Sequence, residues 1–142
     1  MEEILYSVDE AVAEAARAAE AALQVPAIVE DKGNVVKELA ERIAKQSFAV
    51  VVGAAAFTPM AQSAEVVVGS VTIVVSLFER PVVNRAKADA KRLFPAAQEV
   101  AKALTYLPAG AARLFLRQIT RVQEHDGGII GCDVEFTAKV VL

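Results

Sequence analysis

The stretch VVVGSVTIVVSLFERPVVNR, residues 66–85, decides the fold of this chain. From Val67 to Leu77 every odd position is apolar or glycine, whereas most even positions are serine or threonine. Alternation with a period of two is typical of a β-strand that turns one face to the core. Pro81 has no N–H group for the next rung of a sheet, so we expect the strand to end just before it. The pattern therefore predicts a long strand with a charged end at Glu79 and Arg80, and not a membrane-spanning helix, which needs ~20 apolar residues.

The composition describes a protein of small apolar residues with a slight acidic excess. Of its 142 residues, 55% are hydrophobic but only 6% are aromatic. This length fits one domain, residues 1–142. The net charge of −3 gives no electrostatic reason to expect nucleic-acid binding. The single cysteine excludes an internal disulfide, and Glu2 and Glu3 stand where a secretory signal carries basic residues.

The C-terminal residues 129–142 alternate more regularly than the opening stretch. All even positions from Ile130 to Leu142 are apolar. Residues 112–125 form the preceding predicted strand, and residues 126–128 (DGG) favour a three-residue hairpin loop. A two-residue Gly-Gly loop is the alternative, which would slip the pairing by one residue and exchange the two faces. The longer loop predicts three facing pairs, Arg121 with Asp133, Val122 with Cys132 and Leu116 with Ala138.

Three helices follow from the spacing of apolar residues. Ser7 and Glu10 fit a capping box at the start of the first helix, and Pro26 ends that helix by about Gln24. Pro95 suits the first position of the third helix, residues 95–106, because its missing N–H group costs nothing there. The second helix spans residues 34–46. Its apolar stripe contains Val35, Val36, Leu39, Ala40 and Ile43.

The remaining segments complete an α+β pattern. Residues 47–54 (SFAVVVGA) are apolar on both faces and predict a central strand, and residues 25–31 are consistent with a short one. Residues 55–65 show no clear period, and we interpret them as a long loop or an extended hairpin tip, of a kind that often carries function. The order of elements predicts a mainly antiparallel sheet with helices packed on one face.

The sequence contains none of the common motifs for catalysis, phosphate binding or metal binding. His125 has only Glu124 and Asp126 beside it, so we interpret it as a polar turn residue rather than a metal ligand or general base. Cys132 falls on the apolar face of the last strand and is expected to be a core residue, not a nucleophile. We therefore expect no enzymatic activity, no cofactor and no metal ion.

Apolar surface is the more informative property of this sequence. The mildly apolar residues 55–65 and the alanine-rich helices exceed what one small sheet can cover. Small, apolar, β-rich surfaces favour contact with other protein subunits over ligand pockets. Burial of the same residues inside the domain is the alternative.

Residues 78–85 (FERPVVNR) complete a pattern shared with a known family. The chain resembles the small tail-terminator and neck proteins of long-tailed bacteriophages and phage-derived contractile tails. The similar features, from Asp31 onward, are an amphipathic helix and a strand, then a V-x-V-x-V strand that ends in E-x-P-x-x-N-R, an alanine-rich helix and a final pair of strands. In this sequence the amphipathic helix is residues 34–46 and the strand after it residues 48–53. The V-x-V-x-V strand is residues 66–79 with the ending 79–85. The alanine-rich helix is residues 95–106, and the final pair of strands lies in residues 113–142.

This resemblance implies a structural virion protein that forms a sixfold ring. Such a ring caps the tail tube, ends its polymerisation and provides the surface for head attachment. The implied partners are further copies of the chain, the tail tube and sheath proteins, and the head–tail connector proteins, with neither nucleic acid nor a membrane recognised directly. The implied location is the tail or neck of a phage particle assembled in the bacterial cytoplasm.

Two groups of residues are candidates for the subunit or tube interface. The first is the charged ending of the long strand, because arginine suits directional contact with carboxylates; the second is the segment 55–65. The candidates are Glu79, Arg80, Asn84, Arg85, Phe57, Thr58, Met60 and Gln62. A simple turn at 79–85, another head–tail adaptor or tail component, and an unrelated α+β module that binds a ligand or partner are the alternatives.

Overall fold

The computed structural model describes residues 6–30, 35–63, 65–81, 92–105 and 113–142, and the α+β prediction is confirmed. Three helices lie among these residues: α1 (Val8–Leu23), α2 (Val35–Gln46) and α3 (Leu93–Thr105). The strands are β1 (Tyr6–Ser7), β2 (Ala27–Val29), β3 (Phe48–Gln62), β4 (Val67–Glu79), β5 (Leu114–Ile119), β6 (Gln123–His125) and β7 (Ile129–Val141).

All seven of these strands belong to one sheet in which β4 and β7 are central. The order across the sheet is β1-β7-β4-β3-β2, and β5 and β6 pair with β7 on the same side as β1. The long pairs β3–β4 and β4–β7 are antiparallel. Only the short strands β1 and β2 run parallel to their partners. The sheet is therefore mainly antiparallel, as the sequence predicted.

The core lies on one face of the sheet, under α1 and α3. Val71, Ile73, Val75 and Leu77, the predicted inward side of β4, are at most 2% exposed. The even residues of β7 from Cys132 to Val140 are buried on the same face. Alanines of α1 and α3 complete this core, because small side chains let the helices approach the sheet closely. The opposite side of the sheet, called here the open face, carries Ser70, Thr72, Val74, Ser76 and Phe78 of β4.

Helix α2 lies against the open face at the β2–β3 edge of the sheet. Val35 and Leu39 line a groove together with open-face residues of β3 and β4. The predicted stripe is only partly covered, since Ile43 is buried whereas Val36 is 78% exposed. The reason is that the two strands beneath α2 offer less area than the helix presents. Much of the apolar side of α2 therefore faces solvent.

The start and end of α1 follow the sequence prediction. Ser7 accepts a hydrogen bond from the N–H group of Glu10 (3.2 Å), and the Glu10 carboxylate accepts one from the Ser7 N–H group (3.3 Å). This is the reciprocal capping box. Gln24 ends the helix in a left-handed conformation, with φ of 55°.

The three-residue loop between β6 and β7 is confirmed. His125 pairs with Ile129, so residues 126–128 form the loop as a short 3-10 turn. Gly127 and Gly128 have φ values of 76° and 72°. Residues with a side chain rarely adopt this left-handed conformation, which explains why both positions are glycine.

Farther from this turn the predicted register is wrong. Leu116 faces Phe136 and not Ala138. The Asp133 carbonyl accepts a hydrogen bond from Thr120 (2.8 Å), in the place expected for Arg121. The cause is an irregular backbone, because the strand is interrupted between β5 and β6 and a bulge follows Leu116. The interruption and the bulge together shift the pairing of β5 with β7 by two residues. Because a shift by an even number does not exchange the two faces of a strand, the inward side chains stay inward.

Two further predictions need adjustment. Of the two interpretations of residues 55–65, the loop is wrong and the extended hairpin is right, since residues 55–62 form the second half of β3, paired with β4 as far as Gln62 and Val67. Helix α3 begins at Leu93, two residues before the expected start at Pro95. Pro95 still lies in the first turn, where an N–H group has no intrahelical partner. The predicted helix end at residues 107–110 and the charged segment 85–91 lie outside the described residues.

Gly69 fixes how closely the outer half of β3 packs on β4. A Cβ atom at this position would lie 2.4 Å from the Thr58 carbonyl oxygen and 2.5 Å from Cζ of Phe57. We expect Gly69→Ala to lower the free energy of unfolding by about 1–3 kcal/mol, because the overpacked β3 backbone must move. Urea unfolding followed by circular dichroism measures this. Ser70→Ala, on the neighbouring rung, is the control and should change stability little; equal losses in both variants would contradict the explanation.

Candidate functional site

The outer half of the β3–β4 hairpin projects exposed β-structure beyond the core. We call residues 54–62 of β3 and 67–71 of β4 the outer hairpin. Its strands pair with two irregularities, between Ala54 and Phe57 and between Pro59 and Ala61. At its tip, Ser63 donates its N–H group to the Val66 carbonyl (2.8 Å). The Val66 N–H group in turn donates to Ser63 Oγ (3.2 Å). The outer hairpin is therefore an ordered extension of the sheet.

The outer edge of β3 is open along the outer hairpin. β2 pairs with β3 only from Val50 to Val52, and none of the described strands pairs with residues 54–62 on that side. These nine residues, AAAFTPMAQ, contain no charged side chain. Exposed edges of monomeric proteins are usually protected by lysine, proline or bulges. Pro59 and the two bulges give partial protection, but the edge lacks the charge that most effectively prevents pairing with another chain.

Four of the predicted interface residues lie on this edge strand. Thr58, Met60 and Gln62 are exposed, and the Met60 side chain retains 65% of its accessible surface. Phe57 is half-buried, because its ring packs over Gly69 and against the core. The four residues thus lie along one edge strand but not on one face, since Phe57 packs towards the core and Thr58 is level with Ser70 on the open face. Met60 is the largest exposed apolar group among them.

Glu79 and Arg80 lie at the other end of β4. A 13-residue strand at ~3.4 Å per residue separates them from the outer hairpin tip by about 40 Å. The two predicted groups are therefore not one continuous site. Asn84 and Arg85 lie outside the described residues.

Glu79 is buried, with 3% of its surface exposed. One carboxylate oxygen accepts a hydrogen bond from the Leu93 N–H group (3.2 Å), and the other lies 3.9 Å from a guanidinium nitrogen of Arg92. A carboxylate at a helix N-terminus satisfies an unpaired N–H group and complements the helix dipole. The charged end of β4 therefore positions α3 inside this chain. For that reason Glu79 is left out of the surface proposed below.

Arg80 stays half-exposed beside this buried carboxylate. Its N–H group donates to the Ser47 carbonyl (2.9 Å), which joins the end of β4 to the start of β3. Its Nε atom is buried without a hydrogen-bond partner among the described residues. Ser47 itself is buried and left-handed, with φ of 60°.

Replacing Glu79 tests its structural role. Glu79→Ala should lower the free energy of unfolding by about 1.5–3 kcal/mol, because a buried N–H group loses a charged acceptor. Glu79→Gln keeps an acceptor oxygen and should lose less. Denaturant unfolding of both variants and the parent gives the comparison. Wild-type stability in Glu79→Ala would contradict the assigned role.

His125 and Cys132 lie near a small polar cavity of about 320 Å³ on the open face. The His125 ring packs edge-on against Phe78, with centroids 5.7 Å apart. Close by, Ser76 Oγ donates to Asp133 Oδ1 (2.7 Å). Within the described ranges, no cluster of three or more His, Cys, Asp or Glu residues is placed to hold a metal ion. These contacts give His125 a packing role at the turn.

Cys132 is 5% exposed on the core side of β7. Burial, with a smaller contribution from Asp133, raises the pKa of its thiol to about 11. Because the thiolate is the reactive form, we expect native Cys132 to react with iodoacetamide at pH 8 about 100-fold more slowly than in denaturant. Equal alkylation rates in the two states would show that the thiol is accessible.

The raised pKa of Cys132 also affects stability. Because the native thiol keeps its proton to higher pH than the unfolded one, the free energy of unfolding should fall as pH rises from 9 towards 11.

A second surface feature lies between α2 and the open face. It is a groove of about 520 Å³ lined by apolar residues of α2, including Val35 and Leu39, and by Val51, Val74 and Phe78 of the sheet. Glu30 is the acidic residue at its rim, and its side chain occupies the space above Gly53. The groove is open and largely apolar, so it offers contact area but few groups that would orient a small ligand.

Comparison with known proteins finds similarity in structure only. No protein-family profile matches the chain, and no curated protein sequence does. The fold is similar to that of a chain in a solved structure described as the virion of native gene transfer agent (GTA) particle. The TM-score is 0.50 and the sequence identity 15%, over 96% of both chains. At this identity the similarity concerns the fold.

In the part of the chain that the structure describes, no helix is both long and apolar enough to span a bilayer. The sequence prediction for β4 is consistent with this, since residues 67–79 form a strand.

Two exposed aromatic and aliphatic side chains on β5 were not among the predicted site residues. Phe115 is 63% exposed and Leu116 44% exposed. The signal was present in the sequence as the run RLFLRQITR, residues 113–121, which has arginine at every fourth position and three consecutive large apolar residues, 114–116. Its meaning depends on where β5 lies in the sheet, which the sequence did not specify.

Proposed function

We propose that this chain is a structural virion protein that assembles into a closed ring of six copies at the end of a phage-type tail tube. The ring ends tube polymerisation and provides the surface on which the head attaches. Its partners are further copies of itself, the tube and sheath proteins, and the head–tail connector proteins. The chain acts in the tail or neck of a particle assembled in the bacterial cytoplasm.

The observation that carries this proposal is the uncharged open edge of the outer hairpin. A monomeric protein that exposes nine uncharged residues on an edge strand risks uncontrolled pairing with other chains. If copies of the protein normally assemble, the same edge would provide main-chain groups for pairing with a neighbouring copy. Thr58, Met60 and Gln62 are its exposed side chains. Arg80, at the opposite end of the hairpin, and Asn84 and Arg85, which follow it in the sequence, remain proposed as a second contact region.

The fold similarity to a chain of a gene transfer agent virion supports the same class of function. It agrees with the family resemblance of residues 31–142, which concerns phage tail-terminator and neck proteins. Another head–tail adaptor or tail component would fit these observations too. The sixfold symmetry and the terminator role come from the resemblance.

A binding module is the second candidate function, and the apolar groove under α2 is the observation that favours it. A module of this kind would remain monomeric or dimeric and would gain thermal stability from a ligand or peptide. Light scattering separates the two functions. Six chains of 15.0 kDa give a ring of about 90 kDa, and electron microscopy with tail tubes then shows whether the ring sits on tube ends.

Met60→Glu should weaken assembly roughly tenfold or more, because an interface would bury an unpaired carboxylate at this position. The concentration at which half of the chains are assembled is the quantity to measure. Val36→Glu on α2 is the matched control, since it places the same charge on an apolar residue that is at least as exposed as Met60. Unchanged assembly of Met60→Glu would remove the outer hairpin from the interface.

A further inference from the structure

β5 gives the sheet a second open edge, on the side opposite to β3. It pairs with β7 and with no other described strand. Phe115 is level with Thr137 of β7 and therefore lies on the open face, where most of its ring is exposed. Among the described strands, the longer unpaired edges are thus residues 54–62 of β3 and residues 114–119 of β5; the short strands β1, β2 and β6 are also unpaired on their outer sides.

The two open edges overlap in height at residues 114–116 of β5 and 54–57 of β3, whereas Gln118 and Ile119 are level with Gly53 and Val52, beside β2. Leu114 is level with Ala138, which pairs with Val71, which in turn pairs with Phe57. Leu116 is level with Phe136, Ile73 and Ala54 in the same way. β2 ends beside Val52. The open part of β3 therefore begins at the level that β5 occupies on the other side.

The strand directions also match. Each step from β3 to β4, from β4 to β7 and from β7 to β5 is antiparallel. β3 and β5 consequently point in opposite directions. A rotation about an axis that runs roughly along the strands preserves these directions in the next copy. In a ring around such an axis, β5 of one copy would meet β3 of its neighbour as an antiparallel pair.

Charge favours this pairing over pairing of two identical β5 edges. Arg113, Arg117 and Arg121 accompany β5, and two such strands side by side would bring like charges together, which is destabilising. Glu135 of β7, 3.8 Å from Arg117, offsets part of this charge. Residues 54–62 have no charge and mostly small side chains, so they accept β5 without repulsion. Pairing of β3 with β3 meets no charge penalty but would leave β5 uncovered.

We propose that β5 of one copy adds to the open edge of β3 in a second copy of this chain, as an antiparallel strand. Main-chain hydrogen bonds at residues 54–57 supply the pairing, and Phe115 and Leu116 supply apolar contact. The interface is heterologous, with different surfaces on its two sides, so repetition of the same rotation gives a ring when that rotation closes and an open filament when it does not. This inference rests on the proposed function and names the surfaces that build its ring.

Two edge-blocked variants test the pairing. The first, Ala55→Lys/Ala56→Lys, charges the β3 edge within the proposed pairing, and the second, Phe115→Lys/Leu116→Lys, charges β5; all four residues are exposed. Each variant alone should be monomeric at concentrations at least 100-fold above that at which the wild type forms rings. An equimolar mixture should give a heterodimer of two 15.0 kDa chains, about 30 kDa, because one intact β3 edge and one intact β5 edge remain. Native mass spectrometry with one variant isotopically labelled identifies it.

The other outcomes separate this inference from the proposed function. The β3–β5 pairing is wrong if either variant still forms wild-type rings or dimerises alone. It is also wrong if the mixture stays monomeric. In these cases the proposed ring of the wild type is not contradicted. If the wild type forms open filaments and the mixture still gives the heterodimer, the pairing holds and the closed ring fails. A wild type that stays monomeric at all concentrations overturns both. Val36→Lys/Ala40→Lys on α2 is the control that should keep the wild-type mass, and circular dichroism confirms the folding of every variant.

Hydrogen exchange gives a second readout. Amides of residues 54–57 should exchange more slowly in the assembled wild type than in the monomeric Phe115→Lys/Leu116→Lys variant, although that variant is unchanged at those residues. Equal exchange in the two samples would contradict strand addition even if the masses agreed.

Discussion

The structure depends on β4 having a paired strand on each side along nearly its whole length. Its inward residues Val71, Ile73, Val75 and Leu77 form the middle of the core, and full burial of such side chains contributes about 1.5–3 kcal/mol each. β4 also orders what lies around it. Its end positions α3 through the buried Glu79 carboxylate, and its beginning supports the outer hairpin through Gly69. A single strand therefore connects the stable core to the exposed surface that we propose for assembly.

The elements that were predictable are those whose signal is local. The alternation in β4 and β7, the capping box of α1 and the glycine turn at residues 127–128 each follow from neighbouring residues, and the structure confirms them. The register of β5 was not predictable beyond the turn, because bulges take up residues without leaving a clear pattern in the sequence. The partial exposure of α2 was missed for a different reason. An amphipathic stripe shows which side of a helix is apolar but not how much partner surface lies beneath it.

In the candidate site, too, local features were predictable from the sequence and features that depend on folding were not. Phe57, Thr58, Met60 and Gln62 stay a prediction as interface residues; they lie on one edge strand, and the run of alanines before them concealed that it is a strand. Glu79 was expected on a surface because charged residues usually are. Its burial depends on Leu93 and Arg92, which are distant in sequence and adjacent only after folding. The importance of Phe115 likewise arises from the position of β5 at an edge.

Small side chains account for both the stability and the limits of this fold. Alanine and valine allow helices and strands to approach closely, and the core under α1 and α3 uses them in this way. In the outer hairpin none of the described helices covers most of the same residues, and each contributes little to stability while exposed. Among the described strands, its edge is held as β-structure by pairing with β4 alone. A strand from a second copy would satisfy the remaining main-chain groups and cover this apolar surface, so the feature that stabilises the monomer least is the one that assembly would stabilise most.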